Sequence, residues 1–121
     1  MRILLIGDNS FRNNAIQKVL SLRQGWHIEH ITPSLILDGY EIPSDGQFAV
    51  CLLDISSCLD DCKEIITKIH QPKLSCKLAV IFNALSEEEV DSLQNNGVDE
   101  CLSVEWETDK FVRTISELGN N

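Results

Sequence analysis

Asp8 and Asp54 are the residues best placed to do chemistry. Each follows a short apolar run, Ile3-Leu4-Leu5-Ile6 before Gly7-Asp8, and Phe48-Ala49-Val50-Cys51-Leu52-Leu53 before Asp54. If both runs are strands of one sheet, two carboxylates lie at matching strand ends, where they can share a divalent cation. Oxygen ligands of that kind suit Mg2+ or Mn2+ with several waters retained. A carboxylate at a strand end is also an ordinary solvated turn residue, so the pairing of the two carries the expectation. Cys58 and Cys62 are four apart at the start of a helical stretch. A thiol at a helix N-terminus has a lowered pKa, which makes Cys58 a candidate redox sensor, although Asp54, Asp60 and Asp61 oppose that shift. The plainer reading of both cysteines is a small buried or half-buried side chain. His27, His30 and His70 share no ligand spacing with them. No glycine-rich phosphate loop or Ser/His/Asp set is present, which disfavours nucleotide binding and hydrolysis.

The elements that must position these residues alternate along the chain. Ile3 to Ile6 reads as a strand covered on both faces. Asn9-Ser10 can cap a helix whose apolar positions are Phe11, Ala15, Ile16, Val19 and Leu20, stopped at Gly25. His27 to Thr32 alternates apolar and polar residues as a more exposed strand, and Ser34 to Leu37 suits a short helix before a long loop containing Pro43 and Ser44-Asp45-Gly46. Phe48 to Leu53 is a third, buried strand. Leu59, Cys62, Ile65, Ile66 and Ile69 mark a helix face closed by Pro72, and Leu78 to Phe82 forms a fourth strand. Ser86 with Glu89 is a capping-box signature for a helix carrying Val90 and Leu93 and ending at Asn96-Gly97. Glu100 to Val104 is a fifth strand, and Thr108 caps a last helix with Phe111, Val112, Ile115 and Leu118 inward. Five strands alternating with helices imply a parallel sheet with helices on both faces, and one domain filling residues 1–121.

Composition narrows the function. The chain has 121 residues, 10 Lys+Arg, 19 Asp+Glu and a net charge of −9. Nucleic-acid or anionic-membrane binding needs the opposite sign. Five cysteines without a CxxC pair point to reduced thiols in the cytoplasm rather than a disulfide framework or zinc knuckle. No apolar stretch is long enough for a signal peptide or a membrane span.

The pattern resembles the receiver domain of bacterial response regulators over nearly the whole chain. The resemblance rests on Arg2 to Ser10 as the opening strand and acidic segment, on Phe48 to Asp54 as the strand ending in the phosphoacceptor, on Asn83-Ala84 in place of Thr/Ser-Ala, and on Gly97-Val98-Asp99-Glu100-Cys101-Leu102 leading into the fifth strand. It implies a flavodoxin-like (βα)5 three-layer α/β sandwich around a central five-stranded parallel sheet. It also implies that Asp54 is the candidate phosphoacceptor, and that Asp8, Asp54 and the Ser56 carbonyl could bind Mg2+, weakly. The departures are specific. Gly7 replaces the first acid of the family's pair, Asn83 replaces the switch hydroxyl, Val104-Glu105 replaces Lys-Pro, and Cys58 stands at the usual proline. Trp106 falls where the family has a switch-reporting aromatic.

Without the lysine, only the metal would supply positive charge to a transferring phosphoryl group, so transfer to Asp54 is expected to be slow or absent. Nine of the 19 acids fall between Glu87 and Asp109. This strip is either a solvated face or an interaction face, with Glu88, Asp91, Asp99, Lys110 and Arg113 as contact residues. The expectation is an atypical receiver that is not an enzyme and signals by protein contact with a histidine kinase, an output domain or a second copy of itself as a homodimer. Binding of nucleic acid or membrane by this domain is not expected. The alternatives are a working phosphorelay receiver using Asp54 with Mg2+, and a small-molecule- or nucleotide-binding flavodoxin-like domain.

Overall fold

The computed structural model describes residues 1–42, 47–58, 60–70 and 76–120. The turn expected at Pro43 to Gly46, Leu59 on its helix face, the stop at Pro72 and the last residue, Asn121, lie outside the described residues. Among the described residues, eleven elements follow one another: β1 (Arg2–Ile6), α1 (Phe11–Ser21), β2 (His27–Ile31), α2 (Pro33–Leu37), β3 (Val50–Asp54), a 3-10 turn (Ile55–Ser57), α3 (Cys62–His70), β4 (Lys77–Phe82), α4 (Glu87–Asn95), β5 (Glu100–Ser103) and α5 (Thr108–Gly119). All strand pairings are parallel, in the order β2-β1-β3-β4-β5. This is the expected doubly wound α/β sheet, and its order reverses between β1 and β3.

Strand alternation divides the core between the two faces. Leu4, Ile6, Cys51, Leu53, Leu78 and Val80 pack on one side with Ile36 of α2 and Ile65, Ile66 and Ile69 of α3. Val90 and Leu93 of α4 cover the same side as partly buried residues. Ile3, Leu5, Val50, Leu52, Ala79 and Ile81 pack on the other side with Leu20 of α1 and Phe111, Val112 and Ile115 of α5. Both faces of β1 and β3 are therefore covered, which explains runs of consecutive apolar residues rather than alternation.

Two helix expectations change. Phe11, Ala15 and Val19 do not form the inward face of α1: Phe11 is 92% exposed, and the buried residues are Asn13 and Leu20 with Ile16 half-buried. The helix is rotated so that a polar residue, Asn13, points to the strand ends, because that is where its amide finds partners. Thr108 is the first residue of α5 rather than its cap, and Glu107 holds the cap position without a side-chain hydrogen bond. The Ser86–Glu89 capping box forms as expected, with both reciprocal bonds at 3.2 Å.

The turn into β5 depends on Gly97, whose φ is +100° and whose position would place a Cβ 2.7 Å from His70 Nε2. Gly97→Ala is expected to cost about 1–3 kcal/mol by urea denaturation. Gly25 also has a positive φ but open space around it, so Gly25→Ala should cost less. An equal or smaller loss for Gly97→Ala would contradict this.

Candidate functional site

Register builds the site at the carboxyl ends of β1 and β3. Ile6 pairs with Leu53, so Gly7 and Asp54 emerge side by side. Gly7 is fixed from β2, its N–H donating to Ile31 O at 3.0 Å and its carbonyl lying 3.0 Å from His30 Nε2. The first turn of α1, capped by Ser10 Oγ accepting from Asn13 N–H, then returns over the strand ends. It brings Arg12 and Asn13 down onto Asp54.

Asp54 is buried, with its side chain 1% exposed. Oδ1 accepts hydrogen bonds from Arg12 Nη2 at 2.5 Å, Ser56 Oγ at 2.7 Å and Ser56 N–H at 3.2 Å. Oδ2 accepts from Asn13 Nδ2 and Ser57 Oγ, each at 3.0 Å. The same Asn13 nitrogen donates to Asp8 Oδ1 at 2.9 Å and to the Asp8 carbonyl at 3.0 Å. Asp8 N–H donates to Ser57 Oγ at 2.9 Å, which ties the two strand-end loops together. Burial pushes the Asp54 carboxyl up, but the hydrogen bonds from Ser56, Arg12, Asn13 and Ser57 outweigh it and hold it below the ordinary aspartate range. Because folding lowers this pKa, the ionised pocket stabilises the fold above the ordinary aspartate range. That contribution is lost as pH falls through the folded value.

The sequence expectation is met in one respect and corrected in another. Asp8 and Asp54 do come together, joined through one amide. The expectation that only a metal could bring positive charge to the pocket, however, omits Arg12, whose guanidinium forms an ion pair with Asp54 and also donates to Ser56 Oγ at 2.5 Å. The pocket therefore holds two carboxylates and one built-in cation. Asn13 occupies the place of the missing first acid: a Cβ on Gly7 would lie 2.6 Å from Asn13 Nδ2 and 3.2 Å from Asp54 Cβ. Arg12, Asn13 and Ser57 went unnoticed in the sequence. Two signals pointed to them: a polar residue on the inward line of Asn13, Ile16 and Leu20, and the loss of a lysine that left a carboxylate needing another cation.

This donor set does not fit Mg2+. A carboxylate offers about four lone-pair sites, and Asp54 already accepts five hydrogen bonds. Arg12 supplies the positive charge that a cation would bring. Among the described residues, no group of three or more His, Cys, Asp or Glu side chains could hold a metal ion.

The other expected site residues are dispersed. Asn83 is exposed and lines a cavity with Ser56, Cys62 and Lys63 on the α3–α4 side. Val104 and Trp106 line a different groove of about 350 Å3, between α1 and α5, whose wall includes Arg12, Ile16 and Phe111. Arg12 thus borders both the Asp54 pocket and the Trp106 groove. Lys110 Nζ stacks 4.1 Å from the Trp106 ring centre. Glu88, Asp91 and Arg113 are exposed, while the Asp99 carboxylate accepts the Leu78 N–H at 2.8 Å and so helps hold β4. Cys58 is not the activated thiol: it is buried, its Sγ–H faces the carbonyls of Asp54 at 3.7 Å and Ile55 at 3.8 Å, and the neighbouring Cys62, burial and nearby acids raise its pKa.

A direct test of the Gly7–Asn13 packing is a double-mutant cycle. Gly7→Asp alone should destabilise by about 1–3 kcal/mol through overpacking. Combined with Asn13→Ala, the loss should be smaller than the two single losses added, by at least about 0.5 kcal/mol. Strict additivity in urea denaturation would contradict the contact.

No family model matches the chain, and no curated protein matches it by sequence. Solved structures do match. The non-phosphorylated HemR receiver domain of Leptospira biflexa superposes with a TM-score of 0.81 at 15% identity, covering 99% of this chain and 94% of that one. A response regulator receiver protein of Pseudoalteromonas atlantica gives 0.80 at 11% identity, with 99% and 98% covered. A Burkholderia thailandensis protein ascribed to pilus assembly (CpaE) gives 0.78 at 12% identity, with 100% and 99% covered. The fold is that of response-regulator receiver domains. Among the described residues, no helix is long and apolar enough to cross a membrane.

Proposed function

We propose that this receiver fold serves as a cytoplasmic two-component signalling module that acts through protein–protein contact, with phosphoryl transfer to Asp54 weak or absent, and that it is not an enzyme. The observation that carries the proposal is the Arg12–Asp54 ion pair inside a saturated hydrogen-bond shell. A carboxylate attacking phosphorus needs a free oxygen and positive charge on the transferring group. Here both oxygens of Asp54 are engaged, and the pocket's cation neutralises the nucleophile instead of the phosphoryl oxygens. Neither Val104 nor Asn83 contributes a compensating charge.

Protein contact is favoured by the exposed acids Glu88 and Asp91 of α4 and the exposed cations Lys110 and Arg113 of α5. A histidine kinase, an output domain or a second copy of the chain would each meet that surface.

The test uses a Trp26→Phe host so that Trp106 fluorescence reports alone. Mg2+ followed by beryllofluoride should leave the signal unchanged, because Arg12, which lines the Trp106 groove, stays on Asp54. Arg12→Ala should introduce a Mg2+-dependent change. A saturable beryllofluoride response with Arg12 in place, abolished by Asp54→Asn, would overturn the proposal in favour of a phospho-accepting receiver.

A further inference from the structure

The outward face of α1 carries apolar residues that the core does not use. Phe11, Ala15, Lys18 and Leu22 recur at i, i+4, i+7 and i+11, which places them on one stripe of the helix and its C-cap. All four are exposed, Phe11 by 92% and Leu22 by 86%. The inward line of Asn13, Ile16 and Leu20 lies on the other side of the helix. Charge sets this face apart as well. No acid occurs between Asp8 and Glu29, a stretch that holds Arg12, Lys18 and Arg23, although the whole chain carries −9. Arg12 is engaged with Asp54, so Lys18 and Arg23 are the exposed cations of the face.

A complementary surface lies on the opposite side of the sheet. A cavity of about 680 Å3 between α3 and α4 has Ile55, Leu85 and Leu93 as apolar lining, and Asp60, Glu89 and Lys63 as its charges. It has room for an aromatic side chain. α4 holds the acids Glu87, Glu88, Glu89 and Asp91 and no base, whereas α1 holds Arg12 and Lys18 and no acid. Glu88 lies one turn before Ser92, which also lines the cavity. The stripe on α1 runs about 16 Å and α4 about 14 Å, so the two can lie along each other. Within one molecule they never meet: α1 packs on the Ile3 and Leu5 face of the sheet, α3 and α4 on the Leu4 and Ile6 face.

We propose that the domain self-associates head to tail, with Phe11 of one copy seated in the α3–α4 cavity of the next and Lys18 and Arg23 against the acids of α4. The contact joins two different surfaces. Each added copy leaves one α1 face and one cavity free, so the assembly grows as a chain instead of closing as a two-fold dimer. This contact rests on the domain's being a protein-contact module but not on the chemistry of Asp54. It takes its basic side from α1, not from Lys110 and Arg113 of α5.

The test is sedimentation velocity of the 121-residue chain over a wide range of concentration, at low and high salt. The mean size should grow with concentration past a dimer and fall as salt is added. Phe11→Ser should weaken association by about tenfold or more. Two half-interface variants then identify the surfaces. Phe11→Ser with Leu22→Ser removes the α1 stripe, and Glu88→Lys with Ser92→Arg blocks the cavity; all four positions are exposed. Each variant alone should stay monomeric, and their equal mixture should form a one-to-one dimer that grows no further. A native chain that stays monomeric throughout, an association that stops at a dimer, or folded variants that do not pair would overturn the proposal. So would loss of association in Lys110→Glu, which would move the contact to the α4–α5 surface and leave a protein-contact role standing. The native chain's own growth with concentration decides this even where a variant folds poorly.

Discussion

The guanidinium of Arg12 against the carboxylate of Asp54 is the interaction on which the rest of the site depends. Asp54 closes a strand with both faces covered, and its side chain is 1% exposed. An ionised carboxylate so placed costs several kcal/mol unless it is paired and hydrogen-bonded. Arg12 supplies the charge, and Ser56, Ser57 and Asn13 fill the remaining lone pairs. Removing one partner of a buried pair costs about 3–5 kcal/mol; the value here is lower, because the Arg12 side chain remains 35% exposed and is screened by water. The arrangement has its own cost: Arg12 Nε and Asn13 Oδ1 are buried without a hydrogen-bond partner. Each such atom costs about 1–3 kcal/mol. The pocket tolerates this because the alternative is an unpaired buried anion.

That same contact connects regions that the sheet keeps apart. Arg12 touches Asp54 at the strand ends and lines the α1–α5 groove with Trp106, which in turn carries Lys110 on its ring. A change at Asp54 that released Arg12 would be felt at the groove without passing through the central strands. The loop on the opposite side, carrying Ser56, Ser57 and Cys58, forms the other wall of the pocket. Asp54 is thus held between a helix N-terminus and a turn.

The fold was legible in the sequence because its central strands are buried on both faces and the helices α1 and α4 carry their own side-chain caps. Apolar runs such as Leu78 to Phe82, and signatures such as Ser86 with Glu89, depend on local chemistry alone. The site was only half legible. Asp8 and Asp54 follow from their places after strands, but Arg12 and Asn13 sit in a helix where Phe11, Ala15 and Val19 compete for the inward face. Apolar periodicity cannot show that an amide and a guanidinium will turn inward, since their partner, Asp54, is more than 40 residues away. The substitution of Gly7 for an acid became interpretable only when Asn13 was found in the vacated volume. Cys58 lost its candidate role for a similar reason: its burial is a tertiary fact, not a property of its spacing from Cys62.

Whether Arg12 holds Asp54 ionised and engaged is read from the Asp54 side-chain carboxyl resonance, followed by NMR through acid pH. The expected midpoint lies below the ordinary aspartate value of about 3.9 in the native chain and rises in Arg12→Met. A midpoint that is the same with and without the guanidinium, or one above the ordinary value in the native chain, would contradict it.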